Sequence, residues 1–126
     1  MRHHQRRKFW LCFVDAGRGF AYLVKTERNA RIHLAAVTAV FIAGLLFNIT
    51  PGEWCIIVIA SALVWIAEAF NTAVERVTDL LSPEIHEQAG NAKDVAAAGV
   101  MMAAIAAVAV GAWVFLPYVT EAVFPN

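Results

Sequence analysis

Glu68, Asn71, Glu75 and Asp79 follow one another at three- and four-residue steps, and Lys93-Asp94 come after a short polar stretch. On a helix turning about 100° per residue, Glu75 and Asp79 fall within roughly 20° of Glu68, with Thr72 and Asn71 on the same side at roughly 40° and 60°. The intervening residues are largely apolar, so this is one polar stripe on an apolar helix. An acid at the centre of a membrane helix costs roughly 2.5–3.5 kcal/mol on insertion scales, and such residues are functional by default. A carboxylate withdrawn from water can act as a general base on a hydroxyl. Carboxylates nearer water can hold Mg²⁺, usually one or two together with substrate phosphates. Lys93 offers a point charge for phosphate, and the N–H groups of a helix start beside it also favour anions. Phosphoryl transfer needs little beyond positioning and charge neutralisation, so these parts suffice for it.

Each part also has a plainer reading. Asn71 alone reads equally well as an interhelical hydrogen-bonding residue. Glu75, Arg76 and Asp79 taken singly read as a solvated helix end, and Lys93-Asp94 as helix-start decoration. Glu68 is harder to dismiss, because a lone acid in lipid needs a partner or a task. Glu84 and His86 carry little weight as loop residues. Glu27 sits at the same membrane level as Glu75 and is a candidate to share a cation with it.

The elements that hold the stripe follow from composition. The 126 residues are 60% hydrophobic and 16% charged, against roughly 45–50% and 25% for average soluble proteins. The excess lies in long runs, which indicates one integral membrane domain. Net charge is formally zero, so no nucleic-acid partner is expected. The basic start is followed by an amphipathic stretch and not by an apolar core ending in small residues, so no cleavable signal is expected. No standard nucleotide-binding loop motif is present; a bound nucleotide needs another arrangement.

Residues 1–28 are expected to form a basic start, a surface helix and a turn. Trp10, Phe13, Val14, Gly17, Phe20, Ala21 and Val24 share one face, while Lys8, Asp15, Arg18, Tyr22 and Lys25 populate the other. That amphipathic pattern fits a helix lying in the membrane interface. Asn29 is a candidate cap for span one, over 32–49. Thr50-Pro51-Gly52-Glu53 has the form of a capping box, opening span two over 51–81. Residues 82–91 are a polar loop, closed by Asn91 as cap of span three over 92–117. Span three is rich in Ala and Gly, which favours close helix packing. Cys12 and Cys55 fall on opposite sides of the membrane, so no disulfide between them is expected.

All ten Lys and Arg residues lie before span one or around the 82–91 loop. The positive-inside rule then puts the N-terminus and that loop in the cytoplasm of a multi-pass protein. Counted from Trp54, Glu68 lies about 21 Å along the helix, Glu75 about 31 Å and Asp79 about 37 Å. The stripe is a ladder from the inner leaflet through the headgroups to cytosolic water.

Glu68-x2-Asn71-x3-Glu75-x3-Asp79 with Lys93-Asp94 resembles the signature of the small prokaryotic integral-membrane diacylglycerol kinases. Ala16-Gly17-Arg18-Gly19, Thr26-Glu27-Arg28-Asn29 with His33, and Lys93 to Gly99 are similar to the undecaprenol kinase branch. The resemblance implies an all-α homotrimer of three-span subunits with an N-terminal surface helix, in the bacterial cytoplasmic (inner) membrane. It implies MgATP-dependent phosphorylation of a membrane lipid alcohol at sites shared between subunits. By this resemblance Glu68 is the general base and Asn71 orients the site. Glu27 and Glu75 match the Mg²⁺-binding acids, and Lys93 and Asp94 match nucleotide-contacting positions. Glu84 and His86 fall where the family's loop meets ATP. Lys8 stands at the nucleotide end, where the better-known diacylglycerol kinase has arginine. Asp15 replaces a tyrosine there, and no role is carried onto it. The substrate expected is undecaprenol, with diacylglycerol as the alternative. A proton-coupled transporter is the competing class, since it too keeps a Glu in a short membrane chain, but it has no need of a cytosolic ladder. A non-catalytic assembly protein is the third reading.

Overall fold

The structure is a computed structural model that describes residues 9–81 and 86–124. Lys8 and Glu84 lie outside the described residues. Four helices follow in order: α1 (Trp10–Thr26), α2 (Arg28–Leu46), α3 (Pro51–Leu81) and α4 (Glu87–Val123). The last three are long and apolar enough to cross a membrane.

The α2–α3 hairpin is fixed by local chemistry at both helix ends. Asn48 takes a left-handed conformation, φ 50°, which Asn tolerates better than most side chains. Its N–H bonds the Leu45 carbonyl at 3.3 Å, and the Ile49 N–H bonds the Gly44 carbonyl at 3.1 Å. This pair of bonds satisfies carbonyls that the helix end leaves over, and it buries Ile49 against the last turn. Thr50 then opens α3. The Glu53 N–H donates to Thr50 Oγ1 at 3.3 Å, and the Thr50 N–H donates to Glu53 Oε2 at 2.7 Å. That reciprocal pair is the capping box read from the sequence. Tyr118 of α4 donates its hydroxyl to the same Glu53 oxygen at 2.7 Å. Ile49, Ile57 and Val114 form a buried cluster beneath these bonds, with Phe47, Trp54 and Phe115 packed around it.

Gly44 of α2 lies directly against the Trp54 ring of α3. A Cβ there would lie 2.6 Å from Trp54 Cη2 and 3.2 Å from Ile49 Cδ1. The Trp54 ring is itself held by Phe41, with centroids 4.9 Å apart.

Several boundaries differ from the sequence reading. Asn29 does not cap α2, because the chain breaks earlier: Glu27 is extended (φ −98°, ψ 124°) and helix resumes at Arg28. Asn91 does not cap α4 either. His86 does, accepting the Gln88 N–H on Nδ1 at 3.3 Å, and Gly90 and Asn91 lie inside the helix. A ring nitrogen two residues upstream satisfies the same kind of N-terminal donor that Asn91 was expected to serve. The helix also runs past Pro117 to Val123. Proline removes one backbone donor from the ladder without ending it, and Thr120 donates its hydroxyl to the Pro117 carbonyl at 2.8 Å. Cys12 and Cys55 are both free thiols, as expected.

Packing is densest between α3 and α4. Away from that seam large apolar side chains stand exposed, among them Leu46, Phe70, Met102 and Val108. A water-facing surface rarely exposes so continuous an apolar coat; lipid or other membrane helices suit it.

The closeness at Gly44 sets one expectation. Gly44→Val should lower stability by about 1–3 kcal/mol through overpacking, read as an earlier loss of helical circular dichroism on heating in detergent. Gly52→Ala, which meets open space, is the control and should leave the transition in place.

Candidate active site

The polar stripe on α3 lies at the opposite end of the helices from the capped hairpin. Its burial falls along the chain: Glu68, Asn71 and Thr72 are buried, Glu75 is half-buried, and Asp79 is exposed. Glu68 is 1% exposed. Its Oε2 has no hydrogen-bond partner, and neither do Asn71 Oδ1 and Thr72 Oγ1. An unpaired buried polar atom costs about 1–3 kcal/mol, and three on one face within two helical turns identify a place kept polar for a purpose.

The neighbours of these atoms come from three elements. His33 of α2 places Nε2 3.9 Å from Glu68 Oε2, beyond direct hydrogen-bond length. Asn71 donates from Nδ2 to Glu75 Oε1 at 3.0 Å, one helical turn along. Glu27, the single residue between α1 and α2, accepts from Arg76 Nη2 at 2.7 Å and from Thr26 Oγ1 at 3.2 Å, both on Oε1. Arg76 also lies over the Tyr22 ring, 5.8 Å from its centroid. So α1, the α1–α2 junction and α3 are tied at one level. Nearer the end of α3, Asp79 pairs with Lys93 of α4. Asp94 is exposed one residue further, and His86 is committed through Nδ1 to capping α4.

Three clefts surround the stripe. An apolar channel of about 420 Å³ runs between α2, α3 and α4; its wall includes Val37, Ile57, Val64 and Phe115, and His33 is the first residue of α2 in it. Asn71 lines a second cleft of about 750 Å³ between α3 and α4, with Gln88 and Asn91. Thr72 and Arg76 line a third, of about 440 Å³, against α1. Asn71 and Thr72 thus open onto clefts on two different sides of α3.

Among the described residues no three acids, imidazoles or thiols stand close enough to cage a metal alone. Glu27 and Glu75 are both within electrostatic reach of Glu68, and each bonds its protein partner through Oε1 alone. That donor set fits a Mg²⁺ held by one or two carboxylates and completed by substrate phosphates.

Two participants were missed from sequence. Arg76 was read only as part of a solvated helix end, yet it holds Glu27 from 49 positions away. His33 was noted only within a family-like segment. The equal membrane level of Glu27 and the Glu75–Arg76 turn was the available hint for the first; the second had none beyond its place one face of α2 away from Glu68.

An unpaired acid–amide–hydroxyl face on a helix long and apolar enough to cross a membrane marks a candidate site. Comparison with known proteins specifies it. Residues 15–115 match the family model described as prokaryotic diacylglycerol kinase. The undecaprenol kinase of Bacillus subtilis (strain 168) is 38% identical over 114 residues, covering 90% of this chain and 93% of that protein. A diacylglycerol kinase of Synechocystis is 43% identical over 106 residues, covering 83% of this chain and 61% of its own. That of Escherichia coli K12 is 48% identical over 46 residues, covering 36% and 38%. This chain belongs to the prokaryotic diacylglycerol kinase family and is a multi-pass membrane lipid kinase. The transporter and assembly-protein readings fall with that finding.

The unpaired hydroxyl makes a separable prediction. Thr72→Val keeps the shape and removes a buried group that has no protein partner, so thermal stability should be unchanged or rise by up to about 1 kcal/mol. A clear fall in melting temperature would mean that Oγ1 is bonded in the folded protein.

Proposed function

We propose that this protein transfers the γ-phosphoryl group of MgATP to the hydroxyl of a membrane lipid alcohol, undecaprenol, giving undecaprenyl phosphate. The observation that carries the reaction type is the buried Glu68 carboxylate with its unpaired Oε2. The similarity to the Bacillus undecaprenol kinase along 93% of that protein supports the substrate. Diacylglycerol is the second reading, favoured by the more identical Synechocystis relative.

In this reading Glu68 takes the proton of the lipid hydroxyl as its oxygen attacks the γ-phosphorus. Asn71 orients Glu75 through the 3.0 Å hydrogen bond. Glu27 and Glu75 hold Mg²⁺, which neutralises charge on the phosphate oxygens. Arg76 keeps Glu27 facing α3. Lys93 and Asp94 receive the nucleotide, with His86, Glu84 and Lys8 at its far side. Lys93 already pairs with Asp79, so its ammonium exchanges one anionic partner for another when phosphate arrives. The basic N-terminus and the connection from α3 to α4 face the cytoplasm, where ATP is, and α1 lies in the interface of the bacterial inner membrane with its exposed Trp10 and Phe13 in lipid. Three copies assemble, and the exposed apolar faces of α2 to α4 supply the contacts.

Glu68→Gln should keep the helical spectrum and lower kcat at least 100-fold, the scale of a lost general base; radiolabel transfer from ATP to lipid measures it. Full activity in that variant would remove the assigned base. Glu75→Gln should need several-fold more Mg²⁺ for half-maximal rate, and an unchanged metal titration would reject that role. Purified protein should phosphorylate undecaprenol faster than diacylglycerol in matched vesicles, and no transfer to either would overturn the function proposed.

A further inference from the structure

Glu68 raises a difficulty that its role as base does not resolve. Each turnover leaves it holding the proton of the lipid hydroxyl, and at 1% exposure it cannot hand that proton to water. Among the described residues, the titratable groups that act on it are His33 from α2, Glu27 from the α1–α2 junction and Glu75 from its own helix. Two of the three are acids, proposed above to hold a cation. His33 is the remaining group. Its side chain is 18% exposed and its Nε2 faces the unpaired Oε2 at 3.9 Å. It also stands in the wall of the apolar channel between α2, α3 and α4, so it meets both the acid and the space beside it.

We propose that His33 is a positioning residue for phosphoryl transfer: it holds Glu68 from α2 and receives the proton that Glu68 removes from the lipid hydroxyl. This rests on the kinase reading above. The lipid O–H bond breaks and its proton passes to Glu68 Oε2. The hydroxyl oxygen forms the new bond to the γ-phosphorus, and the bond from that phosphorus to the bridging oxygen breaks, its electron pair leaving with ADP. Glu68 then passes the proton to the lone pair of neutral His33 Nε2, and the carboxylate is restored. The imidazolium gives up the Nε2 proton to water when the products leave, so the neutral ring regains its Nε2 lone pair for the next turnover. The 3.9 Å gap is closed by a small side-chain movement that brings Nε2 to hydrogen-bond length. Imidazole suits the task because its neutral ring offers a nitrogen lone pair that accepts a proton and its charged ring carries N–H groups that give one up.

The test uses full-length protein in phospholipid vesicles containing the lipid alcohol that the wild type phosphorylates. His33→Ala and His33→Gln are compared with wild type and with Glu68→Gln, and folding is followed by helical circular dichroism and melting. His33→Ala should lose about 10- to 100-fold in kcat, the lower part of the general acid–base range, with KM for MgATP within about twofold of wild type. Added imidazole, small enough to enter the neighbouring channel, should restore part of that rate and leave Glu68→Gln unaffected. His33→Gln, whose amide does not take up a proton, should lose rate to a similar extent. An unaltered kcat in His33→Ala overturns the proposal. So does a folded His33→Ala whose lost rate imidazole leaves unchanged. Should the alanine variant fail to fold, an unaltered kcat in His33→Gln overturns it instead. Wild-type transfer that does not depend on Glu68 overturns the kinase mechanism itself, whereas Glu68-dependent transfer with a normal His33→Ala overturns the role of His33 alone.

Discussion

A carboxylate kept out of water has to be compensated by what is built around it. Among the described residues Glu68 is the most buried polar side chain, on a helix that is largely apolar. The arrangement of the other elements follows from that constraint. Helix α2 brings an imidazole to it, and the α1–α2 junction brings a second acid with an arginine attached. The same face continues through Asn71 and Glu75 toward water. Compensation is incomplete, since three buried oxygens have no protein partner. A protein selected for stability alone would fill that face with apolar groups.

The two ends of α3 illustrate opposite uses of polar atoms. At its start the Thr50 and Glu53 side chains and N–H groups pair reciprocally, and Tyr118 adds a third anchor from α4. That end fixes the relative placement of α2, α3 and α4 over an aromatic and aliphatic cluster. At the other end polar atoms are left unpaired, and clefts lie beside them. Rigidity at one end permits an unsatisfied constellation at the other to keep its geometry, because long helices transmit the placement set by the hairpin.

Local rules made much of this legible in the sequence. The α3 start could be read because a capping box involves residues three apart, and the stripe because helical periodicity is a property of neighbours. The Asn48 turn needed the structure, yet its residue types suited it. Other features escaped for physical reasons. Asn29 and Asn91 looked like caps by type, but a cap is selected by where the backbone breaks, and Glu27 and His86 broke it first. The Glu27–Arg76 pair joins residues 49 apart, a distance at which one sequence carries no pairing signal. His33 was invisible as a partner of Glu68 because that meeting depends on how α2 rotates against α3. The crossing at Gly44 contributes to that rotation, and it too is a tertiary fact.

The junction at Glu27 has one further consequence. A single non-helical residue joins α1 to α2, and that residue carries one of the acids of the constellation. Adding or deleting one residue there would change where α1 sits relative to α2, moving its aromatic side away from its present surroundings and the acid away from Arg76. Length at this point is therefore as tightly constrained as residue type. Loops ordinarily absorb insertions between homologues; this joint behaves like the tooth of a gear, where a change of one unit puts both wheels out of phase.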